Sequence, residues 1–105
     1  MLKYIPTIFL IFLVILVADR IIMHKTFTDK FLLQFGNNLG EIRNSKNLSF
    51  RALSQKCEID YADLNKIEKG KRNITLSTIL ELAKGLEIHP KELFDFSVSL
   101  EDLEK

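Results

Sequence analysis

The sequence contains little of what catalysis or metal binding requires. Cys57 is the only cysteine in 105 residues, so neither an intrachain disulfide nor a cysteine-based metal site can form. The two histidines, His24 and His89, stand far apart and lack the spacing of metal ligands. No Ser/His/Asp set, phosphate-binding loop or carboxylate pair stands out. The sequence therefore gives no support to an enzyme, and we expect no cofactor.

Patterns typical of β-strands are missing as well, and helical spacing dominates from Thr28 onward. The apolar residues that recur there, at steps of four, four and three, are Phe31, Phe35, Leu39 and Ile42. This spacing predicts a first helix that begins after Thr28 as its N-cap and ends near residue 46. Gly36 and Gly40 each weaken such a helix by about 1 kcal/mol relative to alanine. The first helix therefore needs a packing partner.

Four further helix starts follow. Ser49 precedes a brief second helix, and Asp60 precedes a third helix, residues 61–69, which Gly70 ends in a left-handed conformation. Thr75 precedes a fourth helix that runs to about residue 84, and Pro90 occupies the first position of a fifth. The expected fold is therefore all-α, with five helices in one small domain.

Three side-chain expectations follow from these helices. Asp63, at the third position of the third helix, can bond back to the Asp60 N–H as a capping box. Cys57 closes an apolar face and is expected to be structural rather than reactive. The fourth helix carries apolar residues at positions i, i+3, i+4 and i+7, and this stripe is expected to face the core. Its residues are Leu76, Ile79, Leu80 and Ala83.

An apolar segment precedes this domain. Residues 4–18 are apolar apart from Thr7, but they fall short of the roughly 20 residues that a bilayer span needs. Extension to residues 4–23 reaches that length and places Asp19 and Arg20 near the membrane boundary, where they can pair or snorkel. A membrane partnership through residues 4–23 is therefore one interpretation.

The chain is expected to divide into three parts. Residues 1–22 form the apolar segment, residues 23–94 the helical domain, and residues 95–105 a short acidic tail. Two other interpretations of the first part stay open: a signal-like segment, or a true start at Met23 with the preceding residues never made. The expected location is the cytoplasm, or a membrane anchor with the domain on the cytoplasmic side.

Positive charge is concentrated in the middle of the chain. Residues 43–72 carry eight Lys or Arg against four Asp or Glu, whereas residues 73–105 carry three against seven. Because a local excess of cations attracts polyanions, the middle of the chain is expected to face one.

A distinctive run, LNKIEKGKRN, occupies residues 64–73 and is followed by Leu76, Leu80 and Ala83. With this run, residues 48–94 resemble the Cro and lambda-repressor-like (XRE) family of DNA-binding domains, and residues 35–47 match the first helix of the family. The resemblance covers about two thirds of the chain. It implies that the third helix enters the major groove of double-stranded DNA. Phe50 stands where the family usually has a glutamine that contacts a phosphate or a base.

The third helix has an apolar side and a polar side. Leu64 and Ile67 point toward the core, so the opposite side is available for DNA. There Lys66 can donate to guanine and Asn65 can pair with adenine, while Tyr61 can contact a thymine methyl group or a phosphate. The predicted base contacts are Tyr61, Ala62, Asn65 and Lys66.

Other residues are expected to position the domain. Six side chains at the start of the second helix, at the end of the third and in the following loop are predicted to contact phosphates: Ser49, Arg51, Lys69, Lys71, Arg72 and Asn73. By resemblance, Arg43 and Glu68 form a structural ion pair that joins the first helix to the third.

Two functions are compatible with these residues. The first is a sequence-specific transcription regulator, a repressor that acts by occupancy and binds DNA as a homodimer. The second is an antitoxin-like or partner-binding module that holds another protein through its acidic end or its fifth helix. Salt-sensitive DNA binding with a defined footprint would favour the first function, and a partner recovered without DNA would favour the second.

Overall fold

The fold is built from helices alone over the part of the chain that the structure describes. The computed structural model describes the backbone of residues 6–99 and the side chains of residues 6–18 and 26–99. The elements, in order, are α1 (Thr7–Ser45), α2 (Phe50–Ser54), α3 (Tyr61–Glu68), α4 (Leu76–Leu86) and a short 3₁₀ helix, numbered α5 (Pro90–Phe94). The predicted all-α, five-helix fold is confirmed.

Helix α1 is much longer than the sequence pattern predicted. Its N-cap position is Pro6 and it runs for 39 residues, so Thr28 lies inside the helix and the predicted N-cap there is wrong. No proline or glycine occurs between Thr7 and Thr28, so nothing interrupts the helical hydrogen bonds. The helix ends at Ser45, and Asn47 follows with a left-handed φ of 56°. The backbone is continuous across residues 22 and 23, where the sequence analysis divided the chain.

The first third of α1 is apolar and exposed. All residues from 6 to 18 are exposed, and the large side chains from Ile8 to Val17 show 46% to 81% of their surface to solvent. Among the described residues, no helix is both long enough and apolar enough to cross a membrane. The predicted membrane segment, residues 4–23, extends beyond the described range at its start.

The helix starts in the domain are fixed by local hydrogen bonds. The Ser49 hydroxyl accepts the Ala52 N–H at the start of α2, and the Thr75 hydroxyl accepts the Thr78 N–H at the start of α4. At α5, the His89 ring accepts the Lys91 N–H. These caps satisfy N–H groups that have no partner within a helix. The predicted capping positions at the starts of α2 and α4 are confirmed.

One apolar core joins all five helices. Its fully or nearly fully buried residues are Phe35, Leu39, Leu53, Ile59, Leu64, Ile67, Leu82, Ala83, Leu86 and Leu93. Helix α5 is also held to α1 by the Asn38 side-chain amide, which donates to the Glu92 and Leu93 carbonyls at 2.9 Å. The core therefore sits between the second half of α1 and the four shorter helices.

The predicted core face of α4 is partly wrong. Leu76 and Leu80 leave 78% and 59% of their surface exposed, whereas Leu82, Ala83 and Leu86 are buried. The sequence carries two overlapping apolar stripes on α4, and spacing alone does not distinguish them. Packing against α2 and α5 selects the stripe that contains Leu82 and Leu86.

Cys57 is half-buried beside this core. Its thiol donates to the Leu53 carbonyl, with 3.3 Å between Sγ and O. Burial raises the pKa of the Cys57 thiol above its ordinary value. The protonated thiol is therefore the stable form at neutral pH, in agreement with the expected structural role.

Candidate nucleic-acid interface

The candidate site is the outer surface of α3 together with the start of α2 and the loop after α3. Leu53 of α2 and Leu64 and Ile67 of α3 are buried, so the two helices turn these sides toward the core. A non-helical segment of six residues, 55–60, separates them. Two short helices joined in this way form the geometry of a helix-turn-helix.

The four predicted base-contact residues lie along the outer side of α3. Tyr61 is 47% exposed, Ala62 and Lys66 are exposed, and Asn65 is half-buried. Since Leu64 and Ile67 occupy the opposite side, the four residues share one surface of the helix. This surface is polar at its centre and carries an aromatic ring at its first residue.

The six predicted phosphate-contact residues lie at the start of α2, directly after α3 and in the loop that follows. Ser49 caps α2 with its hydroxyl, and Arg51 projects near Tyr61, with the guanidinium carbon 6.0 Å from the centre of the Tyr61 ring. Lys69 immediately follows α3. Lys71, Arg72 and Asn73 are exposed in the loop beyond Gly70, which adopts the left-handed φ of 72° expected for the helix stop.

Arg72 is held by an acidic neighbour. Its guanidinium donates to the Asp63 carboxylate at 2.7 Å, and both side chains are more than two-fifths exposed. Asp63 was expected to form a capping box with Asp60, but it pairs with Arg72 instead, and the Asp60 side chain makes no capping hydrogen bond. A charged partner gives a carboxylate a stronger hydrogen bond than a neutral N–H does.

Arg43 and Glu68 connect α1 to the last residue of α3. Arg43 Nε lies 2.5 Å from Glu68 Oε2 and Arg43 Nη2 lies 3.1 Å from Oε1, so the pair is bidentate. Arg43 Nη1 also donates to the Leu48 carbonyl at 2.6 Å. Both charged side chains are only 11% exposed. The pair therefore fixes the end of α3 against α1 and against the segment that leads into α2.

Two glycines allow α1 to approach the end of α3 closely. A Cβ atom at Gly36 would meet the Glu68 backbone carbonyl, and one at Gly40 would meet the Glu68 carboxylate at 2.9 Å. Only a residue without Cβ fits at Gly36. In the sequence these glycines lie within an apolar stripe. Their low helix propensity predicted that α1 is weakened there, but it did not predict the close contact of α1 with Glu68.

Phe50 connects two parts of the site, a role that the sequence pattern did not predict. Its ring lies 4.2 Å from the Arg43 guanidinium carbon, and it meets the Tyr61 ring nearly edge to face, with 6.2 Å between centroids and 85° between planes. Phe50 thus joins the structural ion pair to the candidate base-contact surface. Its occurrence at a position where the family usually has glutamine was the available signal.

Comparison with known proteins gives results consistent with this geometry. A family model described as helix-turn-helix matches residues 39–93. The chain is 37% identical over 71 residues to control protein C.BamHI of Bacillus amyloliquefaciens, an alignment that covers 67% of this chain and 88% of that protein.

Two solved structures share the fold. The restriction-modification controller protein C.AhdI of Aeromonas hydrophila superposes with a TM-score of 0.59 at 41% identity, covering 60% of this chain and 96% of that one. An HTH_3 family transcriptional regulator of Vibrio cholerae superposes with a TM-score of 0.62 at 33% identity, covering 64% of this chain and 38% of that one. Since the family model matches more than half of the chain, the XRE-type resemblance is confirmed and the chain belongs to the helix-turn-helix (HTH_3) family.

Proposed function

We propose that this protein is a sequence-specific DNA-binding transcription regulator that represses by occupying its operator. The observation that carries the proposal is the outer surface of α3, where Tyr61, Ala62, Asn65 and Lys66 face away from the core. The Arg43–Glu68 pair holds the far end of this helix in place. A rigid helix that presents polar side chains on one side is suited to reading the major groove.

Base readout is assigned to three side chains by their hydrogen-bonding and apolar groups. The Lys66 ammonium donates to guanine O6 and N7, the Asn65 amide pairs with adenine N6 and N7, and the Tyr61 ring contacts a thymine methyl group. Ala62 has a small side chain, which allows close approach of α3 to the bases. Each well-formed base contact contributes about 1 to 3 kcal/mol of discrimination.

Phosphate contacts supply affinity that is independent of sequence. The N-terminal turn of α2 offers backbone N–H groups beside Ser49 and Arg51, and the loop after α3 offers the cations at 69, 71 and 72. Arg72 exchanges its Asp63 partner for a phosphate when DNA binds. Counterions are released at each cation, so affinity falls steeply as salt concentration rises.

The protein is proposed to bind as a homodimer. Leu76 and Leu80 lie one turn apart on α4 and are both largely exposed, which gives α4 an uncovered apolar stripe. A second copy is proposed to cover this stripe, and in a homodimer the two α3 helices would read two half-sites about 34 to 36 Å apart on one face of the duplex.

Selection from random duplexes tests the DNA-binding proposal. The full chain is expected to enrich a defined site, and promoters of restriction-modification genes are suitable first targets because the similar protein C.AhdI is a restriction-modification controller protein. Lys66→Ala is expected to change the preferred base at one position of each half-site. Lys71→Ala is expected to weaken all duplexes similarly and to lower the salt slope by about one. Absence of any enriched site would overturn the proposal.

Sedimentation tests the dimer independently of DNA. Leu80→Glu places a charge in the proposed interface and is expected to yield a monomer. Leu13→Glu is the control, because Leu13 is also a largely exposed leucine, 47% against 59% for Leu80, and lies in the apolar part of α1. If Leu13→Glu dissociates the protein and Leu80→Glu does not, the second copy binds through α1 and the α4 assignment is wrong.

A further inference from the structure

A continuous line of side chains connects the two ends of α3 through α1 and α2. Glu68 at the last residue of α3 pairs with Arg43 of α1, and the Arg43 guanidinium lies over the Phe50 ring of α2. The Phe50 ring then meets Tyr61 at the first residue of α3. The position of the Tyr61 ring is therefore linked to the ion pair that anchors the opposite end of the same helix.

Phe50 is suited to hold another ring and unsuited to bind a phosphate. Its side chain has no hydrogen-bonding group. The ring is partly buried: it packs against the core and carries the Arg43 cation over one face. Its contact with Tyr61 has the edge-to-face arrangement that aromatic rings prefer.

Tyr61 needs such a partner to be selective. It is the first residue of α3 and nearly half-exposed, so without Phe50 its ring would sample several rotamers in solvent. A side chain that must be ordered on binding contributes less net affinity and less discrimination than one that is already in place. Phe50 reduces that ordering cost for Tyr61.

We propose that Phe50 is a positioning residue that holds the Tyr61 ring against the C5-methyl group of a thymine in the operator. This inference rests on the proposed function and adds a residue to its readout. Phe50 itself does not touch the base. It acts through Tyr61, and its own support comes from the cation of Arg43.

The thymine methyl group can be removed without altering a base pair. Deoxyuridine pairs as thymine does and lacks only the methyl group, so the ratio of dissociation constants for uracil and thymine duplexes measures the methyl contact. At one thymine of each half-site of the selected operator, the wild-type chain is expected to bind the thymine duplex several-fold more tightly than the uracil duplex. Phe50→Leu is expected to lower that ratio by about twofold or more, toward a value of one, because an aromatic pair contributes an effect of at least about that size.

Three further variants define the contact. Phe50→Tyr retains the ring and is expected to retain the ratio. Tyr61→Leu removes the ring proposed to contact the methyl group and is expected to bring the ratio to about one. This variant keeps the contact testable even if Phe50→Leu fails to fold. Phe94→Leu is the matched control, because Phe94 is a partly exposed ring that packs on Phe35, with 5.2 Å between centroids, away from the candidate site. It is expected to keep the wild-type ratio.

The outcomes separate this inference from the proposed function. If the wild-type chain selects no duplex, the proposed function fails. If it selects an operator and folded Phe50→Leu keeps the full preference for thymine, only the positioning role is overturned. If folded Tyr61→Leu keeps that preference, the contact of Tyr61 with the thymine methyl group is overturned together with the positioning role. If Phe50→Leu weakens thymine and uracil duplexes by the same factor, Phe50 is merely structural, which also overturns the inference.

Discussion

Helix α1 contains two regions rich in apolar residues, of which one is exposed and the other is buried along one side. Residues 7–18 are almost uninterruptedly apolar, and all of them are exposed. Residues 31–42 are interrupted by polar residues and glycines but keep an apolar residue at every third or fourth position, and Phe35 and Leu39 of that series are buried almost completely. Apolar content therefore does not predict burial in this helix. Periodic spacing does, because it presents a single stripe that α3 and α5 can cover.

The comparison also separates two sources of helix stability. In residues 7–18 each apolar side chain remains in solvent, so burial contributes little to the free energy of unfolding there. In residues 31–42 the stripe is part of the core, and two glycines that oppose helix formation are tolerated because close packing needs them. The second region is held by tertiary contacts, which substitutions can test directly.

The largest expected effect contrasts one leucine from each region. Leu39→Ala leaves a cavity in the core and is expected to lower the free energy of unfolding by about 3 to 5 kcal/mol. Leu13→Ala removes atoms that already contact solvent and is expected to change it by less than about 0.5 kcal/mol. Urea unfolding followed by circular dichroism measures both. Equal losses would mean that the two regions are equally packed.

The next effect contrasts a buried ion pair with an exposed one. Glu68→Gln leaves the Arg43 cation unpaired in a site that is about nine-tenths buried, at an expected cost of about 3 kcal/mol. Asp63→Asn breaks the exposed pair with Arg72 and is expected to cost less than about 1 kcal/mol. Denaturant midpoints in low and high salt distinguish them. A similar cost for both would contradict the anchoring role of Arg43 and Glu68.

The substitution Gly36→Ala is expected to change stability in the direction opposite to that predicted by helix propensity alone. Gly36→Ala would favour the helix by up to about 1 kcal/mol in isolation, but its Cβ would collide with the Glu68 carbonyl. We expect a net destabilisation of about 1 to 3 kcal/mol, typical of overpacking. Asn37→Ala, at the exposed neighbouring position, is expected to be neutral or slightly stabilising. Thermal unfolding of both variants measures the difference, and a more stable Gly36→Ala would exclude the close approach.

Partial burial at Cys57 gives the smallest expected effect. Because burial raises the thiol pKa in the folded state, the folded protein holds the proton more tightly than the unfolded chain does. This contribution to stability is complete below the unfolded pKa of about 8.5 and is lost as pH rises through the higher folded value. Stability is therefore expected to fall more between pH 8 and 10 in the wild type than in Cys57→Ala. Parallel pH profiles would show that burial of the thiol is unimportant.

Most of the candidate site follows from the order of residues along α3. Leu64 and Ile67 identify the core side, so the positions of Tyr61, Asn65 and Lys66 on the other side follow from 3.6 residues per turn. The pairing of Asp63 did not follow, because a local N–H of Asp60 and the distant guanidinium of Arg72 both suit its carboxylate. The contact of Phe50 with Tyr61 also joins two helices, and periodicity within one helix cannot reveal it.

The sequence by itself determined the positions of the short helices, because caps and glycine stops act over three or four residues. It also determined the division of α3 into a core side and an outer side. Only the tertiary structure decided which stripe of α4 is covered, whether Asp63 pairs with the Asp60 N–H or with Arg72, and why position 36 requires glycine. These features depend on distances between separate helices, and such distances are set by packing of the whole core rather than by any one segment.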